Sequence, residues 1–144
     1  MNRSRFSIGL LALCLGGMAA GVAAQTAGAD MSFFVTSVGK GKGADLGGLE
    51  GADAHCAALA AAAGSKRKQW RAYLSTTAPG GDAGVSARDR IGHGPWRNAK
   101  GDVVARSVED LHSGAGNLTK QTALTERGEA VTGRGDPVNR HDML

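Results

Sequence analysis

The sequence has 144 residues, among them 23 glycines, three phenylalanines, two tryptophans and one tyrosine. This length accommodates one domain rather than two, and the many glycines and few aromatic side chains limit the apolar surface that the fold can bury. The formal net charge of +4 includes Arg3 and Arg5, and without them 15 basic residues face 13 acidic ones, which argues against a general nucleic-acid-binding protein.

The N-terminal segment has the three parts of a secretory signal peptide. Arg3 and Arg5 precede an apolar stretch at 8–20, and Val22-Ala23-Ala24 places small residues where a signal peptidase reads them. We therefore predict a signal peptide over residues 1–24 and a mature domain over residues 25–144, located in the periplasm or secreted. A retained anchor is the second interpretation, but a bilayer span needs about 20 apolar residues and this stretch is shorter.

Residues 32–37 are predicted to form the first strand, because they are β-branched or aromatic and alternate between two faces. Phe33 and Val35 share one face, and Phe34 and Thr36 share the other. The GKGKG sequence at 39–43 ends this strand in a loop. It is not a phosphate-binding loop, because no Gly-Lys-Ser/Thr sequence follows it.

The main predicted helix covers residues 51–63. Its small and apolar residues recur on one face, namely Ala52, Cys56, Leu59, Ala60 and Ala63. Gly51 or Asp53 is predicted to cap its start, and Gly64 suits the left-handed position after its end. The Cys56 side chain therefore points into whatever this helix packs against.

Cys56 is the only cysteine outside the predicted signal peptide, since Cys14 lies within residues 1–24. A lone buried cysteine behaves as a small hydrophobic residue, whereas a cysteine in an exported protein is more often half of a disulfide. The residues alone leave both interpretations open. An odd cysteine in an exported chain nevertheless requires an explanation.

Basic residues cluster directly after the helix, at Lys66, Arg67, Lys68 and Arg71. No aromatic residues interleave with them to stack on bases. We interpret the cluster as a solvated patch, because positive charge suits the C-terminal end of the helix dipole.

The second half of the chain predicts short strands and turns. The alternation at 69–75 predicts a strand with Trp70, Ala72 and Leu74 inward, followed by a loop at 76–84. Residues 98–101 predict a turn into a strand at 103–104. Residues 122–132 predict two short strands joined at positions 127 and 128.

No motif indicates catalysis or a bound cofactor. The four histidines lack the spacing of a zinc site, and no Gly-x-Ser-x-Gly sequence exposes a serine, so we do not expect an enzyme. The Arg-Gly-Asp tripeptide at 134–136 matches an adhesion ligand, but we interpret it as a turn. Asn139, His141 and Asp142 offer donors for calcium or a sugar, with an Asx-type turn as the simpler interpretation.

A resemblance emerges from the order of these features. FFVTS, GADLGGLEGADAHCAALAAAAG, WRAYLSTTA, ARDRIGHGPWRNAKG, NLTKQTALTERGE and NRHDML resemble, over residues 31–144, a family of exported bacterial proteins labelled lectins. That family is related to endostatin-like, C-type-lectin-like domains. The resemblance implies an α+β fold, with one main helix and short antiparallel strands.

The resemblance also implies that this chain is the front part of such a domain. In the family, the helix cysteine forms a disulfide with a cysteine in the last strand, so Cys56 would be an unpaired half. The region that binds calcium and sugar in lectin members would be missing. We therefore expect no cofactor in this chain, a marginally stable fold with an unpaired first strand, and a possible Cys56-linked dimer.

The function implied by the resemblance is non-catalytic carbohydrate binding outside the cytoplasm, with a glycan or a host surface molecule as partner. An aromatic ring that stacks on a sugar beside planar polar groups predicts a site at Trp96, Arg97 and Asn98, with Asn139 and Asp142 as further candidates. A buried anchor is the simpler role for Trp96. The alternative function is a surface interaction protein that binds host matrix or polyanions through residues 66–71 or the loop at 134–136.

Overall fold

A computed structural model describes residues 28, 30–43, 45–77, 84–114, 116–133 and 135–138. The predicted signal peptide and the predicted ligand residues Asn139 and Asp142 lie outside the described residues. Three helices and a two-stranded sheet follow one another as α1 (Gly48–Ala62), α2 (Ala87–Arg90), β1 (Trp96–Arg97), β2 (Val103–Ala105) and α3 (Val108–His112). The architecture is α+β, as predicted.

Helix α1 is the longest element and carries Cys56. It begins after Gly47, whose φ of 74° is left-handed, and not at the predicted Gly51 or Asp53 caps. Gly51 lies inside the helix, where a Cβ would come within 2.1 Å of the Leu46 carbonyl oxygen, so the close approach of the preceding loop requires glycine. At the other end Gly64 has a φ of 85°, which confirms the predicted left-handed termination.

Strands β1 and β2 form an antiparallel hairpin. Trp96 pairs with Ala105 and Arg97 with Val103, with an irregularity between the two β1 residues. The connecting turn is closed by the Gly101 amide, which donates to the Asn98 carbonyl at 3.0 Å. The predicted turn at 98–101 and the following strand are confirmed.

Two other segments predicted as strands make almost no ladder. Residues 32–37 contribute a single parallel bridge, from Val35 to Thr125. Residues 69–75 contain no strand, although Trp70 and Ala72 are buried as the alternation predicts. The second difference has a tertiary cause, because the Ala72 amide donates to the Asp53 carboxylate at 2.8 Å, 19 positions earlier in the chain, and not to a neighbouring strand.

The segment at 122–132 forms a minimal hairpin. Leu124 and Ala130 make an antiparallel bridge, and the Thr125 amide donates to the Glu129 carbonyl at 2.8 Å. Gly128 turns the chain with a φ of 78°. The predicted turn is confirmed, while the two predicted strands shrink to isolated bridges.

Two small clusters of buried side chains make up the core. One lies under α1 and contains Met31, Ala60, Trp70 and Ala99, with Phe34, Cys56 and Ala57 packed against it. The other lies on the hairpin and contains Trp96, Val104 and Ala105, with Phe33, Ile91, Val108 and Leu111 packed against it. Successive phenylalanines thus enter different clusters, as expected for an extended segment.

Asp53 ties α1 to two other parts of the chain. Its carboxylate accepts from the guanidinium groups of Arg71 at 2.8 Å and Arg90 at 2.7 Å, in addition to the Ala72 amide. Burial by itself would raise the pKa of Asp53, but these hydrogen bonds and the Arg90 charge outweigh it and hold the pKa below its usual value. The folded state therefore favours the ionised carboxylate.

Candidate functional site

A groove of about 420 Å³ lies between α1, the extended residues 32–36, the segment 69–74 and helix α3. Its volume falls within the range of small-molecule sites. All five phenylalanine, tyrosine and tryptophan side chains of the described residues line it, namely Phe33, Phe34, Trp70, Tyr73 and Trp96. We take this groove as the candidate functional site.

The inner wall of the groove is aromatic and nearly closed to solvent. The rings of Phe34 and Trp70 meet edge to face with centroids 4.9 Å apart. Trp70 is 9% exposed, yet its indole Nε1 is buried without a hydrogen-bond partner in the described part of the chain. An unpaired buried donor is unfavourable, so this wall lacks a hydrogen-bond acceptor that a fully packed core would supply.

The outer rim carries an exposed aromatic ring. Tyr73 is 53% exposed, and its hydroxyl lies 2.5 Å from His112 Nε2. Helix α3 positions His112, and Ser107 caps that helix by accepting from the Asp110 amide. The Tyr73 ring is thus fixed beside an imidazole 5.8 Å away between ring centroids, rather than free in solvent.

The charged side chains that line the groove are all basic in the described residues. Lys40 donates to the Leu46 carbonyl at 2.8 Å, and Arg71 pairs with Asp53. Arg67 is exposed and has no ion pair with another described residue. No aspartate or glutamate is among the described lining residues, so the groove is electropositive.

Cys56 lies in the wall of the groove, which Trp70 also lines. Its thiol is free and half-buried, in contact with the cluster under α1. Burial raises the pKa of the Cys56 thiol, and the negative charge of Asp53 raises it further. The thiol therefore stays protonated and weakly nucleophilic at neutral pH.

The structure separates the predicted site residues. Trp96 lines the groove, whereas Arg97 and Asn98 make their side-chain contacts mainly in the hairpin. Trp96 is buried in the hairpin cluster and reaches the groove wall. The Arg97 guanidinium donates to the Gly101 carbonyl at 3.0 Å. Asn98 is fully buried, so it presents no amide to a ligand.

The Asn98 side chain instead makes hydrogen bonds that stabilise its turn. Its oxygen accepts from the amides of Lys100 and Asp102, both at 3.0 Å, and its nitrogen donates to the Asp102 carboxylate at 3.1 Å and to the Thr122 carbonyl at 3.2 Å. These contacts satisfy the amide completely.

The two surfaces behind the alternative function are placed differently. Lys66, Arg67 and Lys68 are all exposed after α1. In the tripeptide at 134–136, Asp136 accepts from Lys120 at 2.5 Å and from the Gly133 amide at 2.7 Å. The hydrogen bonds from Lys120 and Gly133 lower the pKa of this carboxyl, and its engagement fits the interpretation as a turn.

The sequence patterns did not reveal that a groove would form. The alternation at 69–75 places Tyr73 outward, but nothing in the sequence brings it to His112, which lies 39 positions away. Arg67 was part of the predicted basic cluster, without a link to the aromatic residues. These groupings depend on tertiary packing.

Three further observations concern metal ions, membranes and similarity to known proteins. In the described ranges, no three side chains of histidine, cysteine, aspartate or glutamate are placed to hold a metal ion. In the same ranges, no helix combines the length and the apolar character needed to cross a membrane. Comparison with protein-family models, curated proteins and solved structures finds no match to this chain.

Proposed function

We propose that this protein binds carbohydrate outside the cytoplasm without chemically altering it, and that the groove is its binding site. The observation that carries the proposal is the exposed, fixed ring of Tyr73 at the mouth of an aromatic groove. A sugar ring presents apolar C–H groups on its faces and hydroxyls around its edge. A surface that combines aromatic faces with a few polar groups suits such a ligand.

We further propose that the fold is a C-type-lectin-like domain of the endostatin-like kind. The order of the elements supports this: one main helix with a cysteine, an extended segment with Trp70, and a hairpin that begins at Trp96. Asn139 and Asp142 stay predicted contacts for a sugar or calcium. A non-catalytic role is consistent with the raised pKa of Cys56, because a protonated thiol is a poor nucleophile.

A glycan array probed with the mature protein tests the function. We expect saturable binding that free sugar displaces, and loss of most binding in Tyr73→Ala. The matched control is Val85→Ala, since Val85 is also an exposed apolar side chain but lies outside the groove. Unchanged binding by Tyr73→Ala, with both variants melting like the wild type, would contradict the proposed site.

The alternative function, binding of polyanions or host matrix through the basic cluster, is favoured by one observation. Lys66, Arg67 and Lys68 are consecutive, exposed and without ion pairs to the described carboxylates. Binding through this cluster is expected to weaken steeply with salt and to accept any polyanion. Competition by dextran sulfate that a neutral glycan cannot reproduce would favour the alternative.

A further inference from the structure

We infer that the groove selects carbohydrates that carry a carboxylate, and this inference rests on the proposed carbohydrate-binding function. The ligand class is an acidic sugar such as a uronate, in which a carboxylate replaces the hydroxymethyl group of a neutral hexose. Two independent features of the groove point to it, the sign of its charges and an unpaired buried donor.

The first feature is an excess of positive charge. Lys40, Arg67 and Arg71 line the groove, and the described lining residues include no carboxylate. Arg71 is only partly neutralised, because Asp53 shares its single negative charge with Arg90 as well. Lys40 uses one of its three N–H donors on the Leu46 carbonyl. An anion that enters the groove therefore meets three basic side chains and no carboxylate among the described lining residues.

The second feature is the indole N–H of Trp70. The Trp70 side chain lines the groove, is more than nine-tenths buried, and has no partner for Nε1 in the described residues. Indole is a donor only. Because Nε1 is closed off in this structure, a ligand oxygen reaches its hydrogen only when neighbouring side chains of the wall shift, and that hydrogen bond would then remove the penalty of leaving the donor desolvated and unpaired.

The cationic and indole groups of the wall are thus donors only. A carboxylate is an acceptor only, and hydrogen bonds from neutral or cationic donors to an ionised oxygen are stronger than those to a hydroxyl. A hydroxymethyl group could accept from the same donors, but its own proton would face basic side chains. The aromatic rings of Phe34 and Trp96 offer the apolar surface for the sugar ring. A uronate fits this combination better than the neutral hexose does.

The test compares two sugars that differ only at this group, galacturonate and galactose, and reads binding from the intrinsic fluorescence of Trp70 and Trp96. Both tryptophans line the groove and are the only ones in the chain. We expect galacturonate to bind at least about tenfold more tightly, the ratio that corresponds to one hydrogen bond to a charged group. We also expect this preference to shrink as salt is added.

Three substitutions, one of them a control, test whether the preference for galacturonate arises in the groove. Arg67→Gln should weaken galacturonate binding about two- to fivefold, the size of an exposed ion pair. Lys68→Gln removes the same charge from the neighbouring exposed residue, which does not line the groove, and should leave the affinity unchanged. Trp70→Phe keeps the aromatic wall but removes the donor, and should reduce the ratio of galacturonate affinity to galactose affinity.

Cys56 reports where the ligand sits. Because its half-buried thiol lines the groove, saturating galacturonate should slow alkylation of Cys56 by iodoacetamide in the native protein, and galactose at the same concentration should not. Unchanged alkylation at saturation would overturn the placement of the acidic sugar in this groove.

The remaining outcomes separate the inference from the function on which it rests. Equal affinity for galactose and galacturonate would overturn the inference and leave carbohydrate binding intact. An equal loss of binding in Lys68→Gln and Arg67→Gln would also overturn it, in favour of the basic cluster. Binding of neither sugar, nor of any glycan on the array, would overturn the inference and the proposed function together.

Discussion

Asn98 in the turn and Trp70 in the groove wall are both buried, but the polar atoms of their side chains differ in how far they are hydrogen-bonded. Asn98 makes four side-chain hydrogen bonds within its own hairpin and to the neighbouring segment. Trp70 is almost as buried and leaves its indole N–H unpaired in the described residues. A fully satisfied polar group needs no further partner, whereas an unsatisfied buried donor carries the uncompensated cost of its desolvation.

The largest effect that would sharpen this comparison is expected from Asn98→Ala. The substitution removes the hydrogen-bond partner of two backbone amides and of the Asp102 carboxylate in a buried turn. We therefore expect a loss of about 3 kcal/mol in the free energy of unfolding. Urea unfolding followed by circular dichroism measures it. Asn117→Ala is the control, because Asn117 makes only one side-chain hydrogen bond, to Val103, and is exposed. Losses of similar size in the two variants would contradict the role of the turn.

An intermediate effect is expected from Asp53→Asn, on the groove side of the molecule. The substitution leaves the largely buried Arg90 guanidinium without its counter-charge, so we expect a loss of about 2 kcal/mol. Chemical unfolding at pH 7 measures it. Asp89→Asn is the control, since Asp89 is exposed and makes no ion pair with another described residue.

The same carboxylate gives a pH dependence with a definite sign. The folded-state pKa of Asp53 lies below that of a free aspartate, so its contribution to stability is fully present above the unfolded-state pKa and is lost as the pH falls through the folded-state pKa. Between pH 5 and pH 2 the wild type should therefore lose more stability than Asp53→Asn. Parallel curves for the two proteins would contradict this assignment.

The smallest effect is expected from Cys56→Ala, which separates the two interpretations of the lone cysteine. If the thiol acts as a small hydrophobic side chain, its removal costs about 1 kcal/mol under reducing conditions. Half-burial and a raised pKa also predict slow oxidation, so non-reducing gels of the native protein should show mainly monomer. A prominent Cys56-dependent dimer would support the expectation of a disulfide partner instead.

Features encoded by neighbouring residues could be predicted from the sequence. Gly64 ends the helix because a left-handed conformation is easy for glycine, and the alternation around Trp70 and Ala72 correctly gave their burial. The turn at Asn98 followed from its own residues. In each case the physical cause lies within a few positions of the chain.

Features that join distant positions could not be predicted in this way. Asp53 looked like a helix cap, but its partners Arg71 and Arg90 lie 18 and 37 positions further along the chain. The Asn98 amide looked available to a ligand, yet it bonds to Thr122, 24 positions away. The groove is formed by such long-range contacts. Several of its residues could therefore be picked out from the sequence, but their proximity in space could not be predicted.

Phe33 and Phe34 give the fold an unusual sensitivity to chain length. The first ring fills the hairpin cluster and the second fills the cluster under α1, so one peptide unit divides the interior into two halves. Deleting a single residue just before this pair would exchange the directions of both rings and of the residues around them.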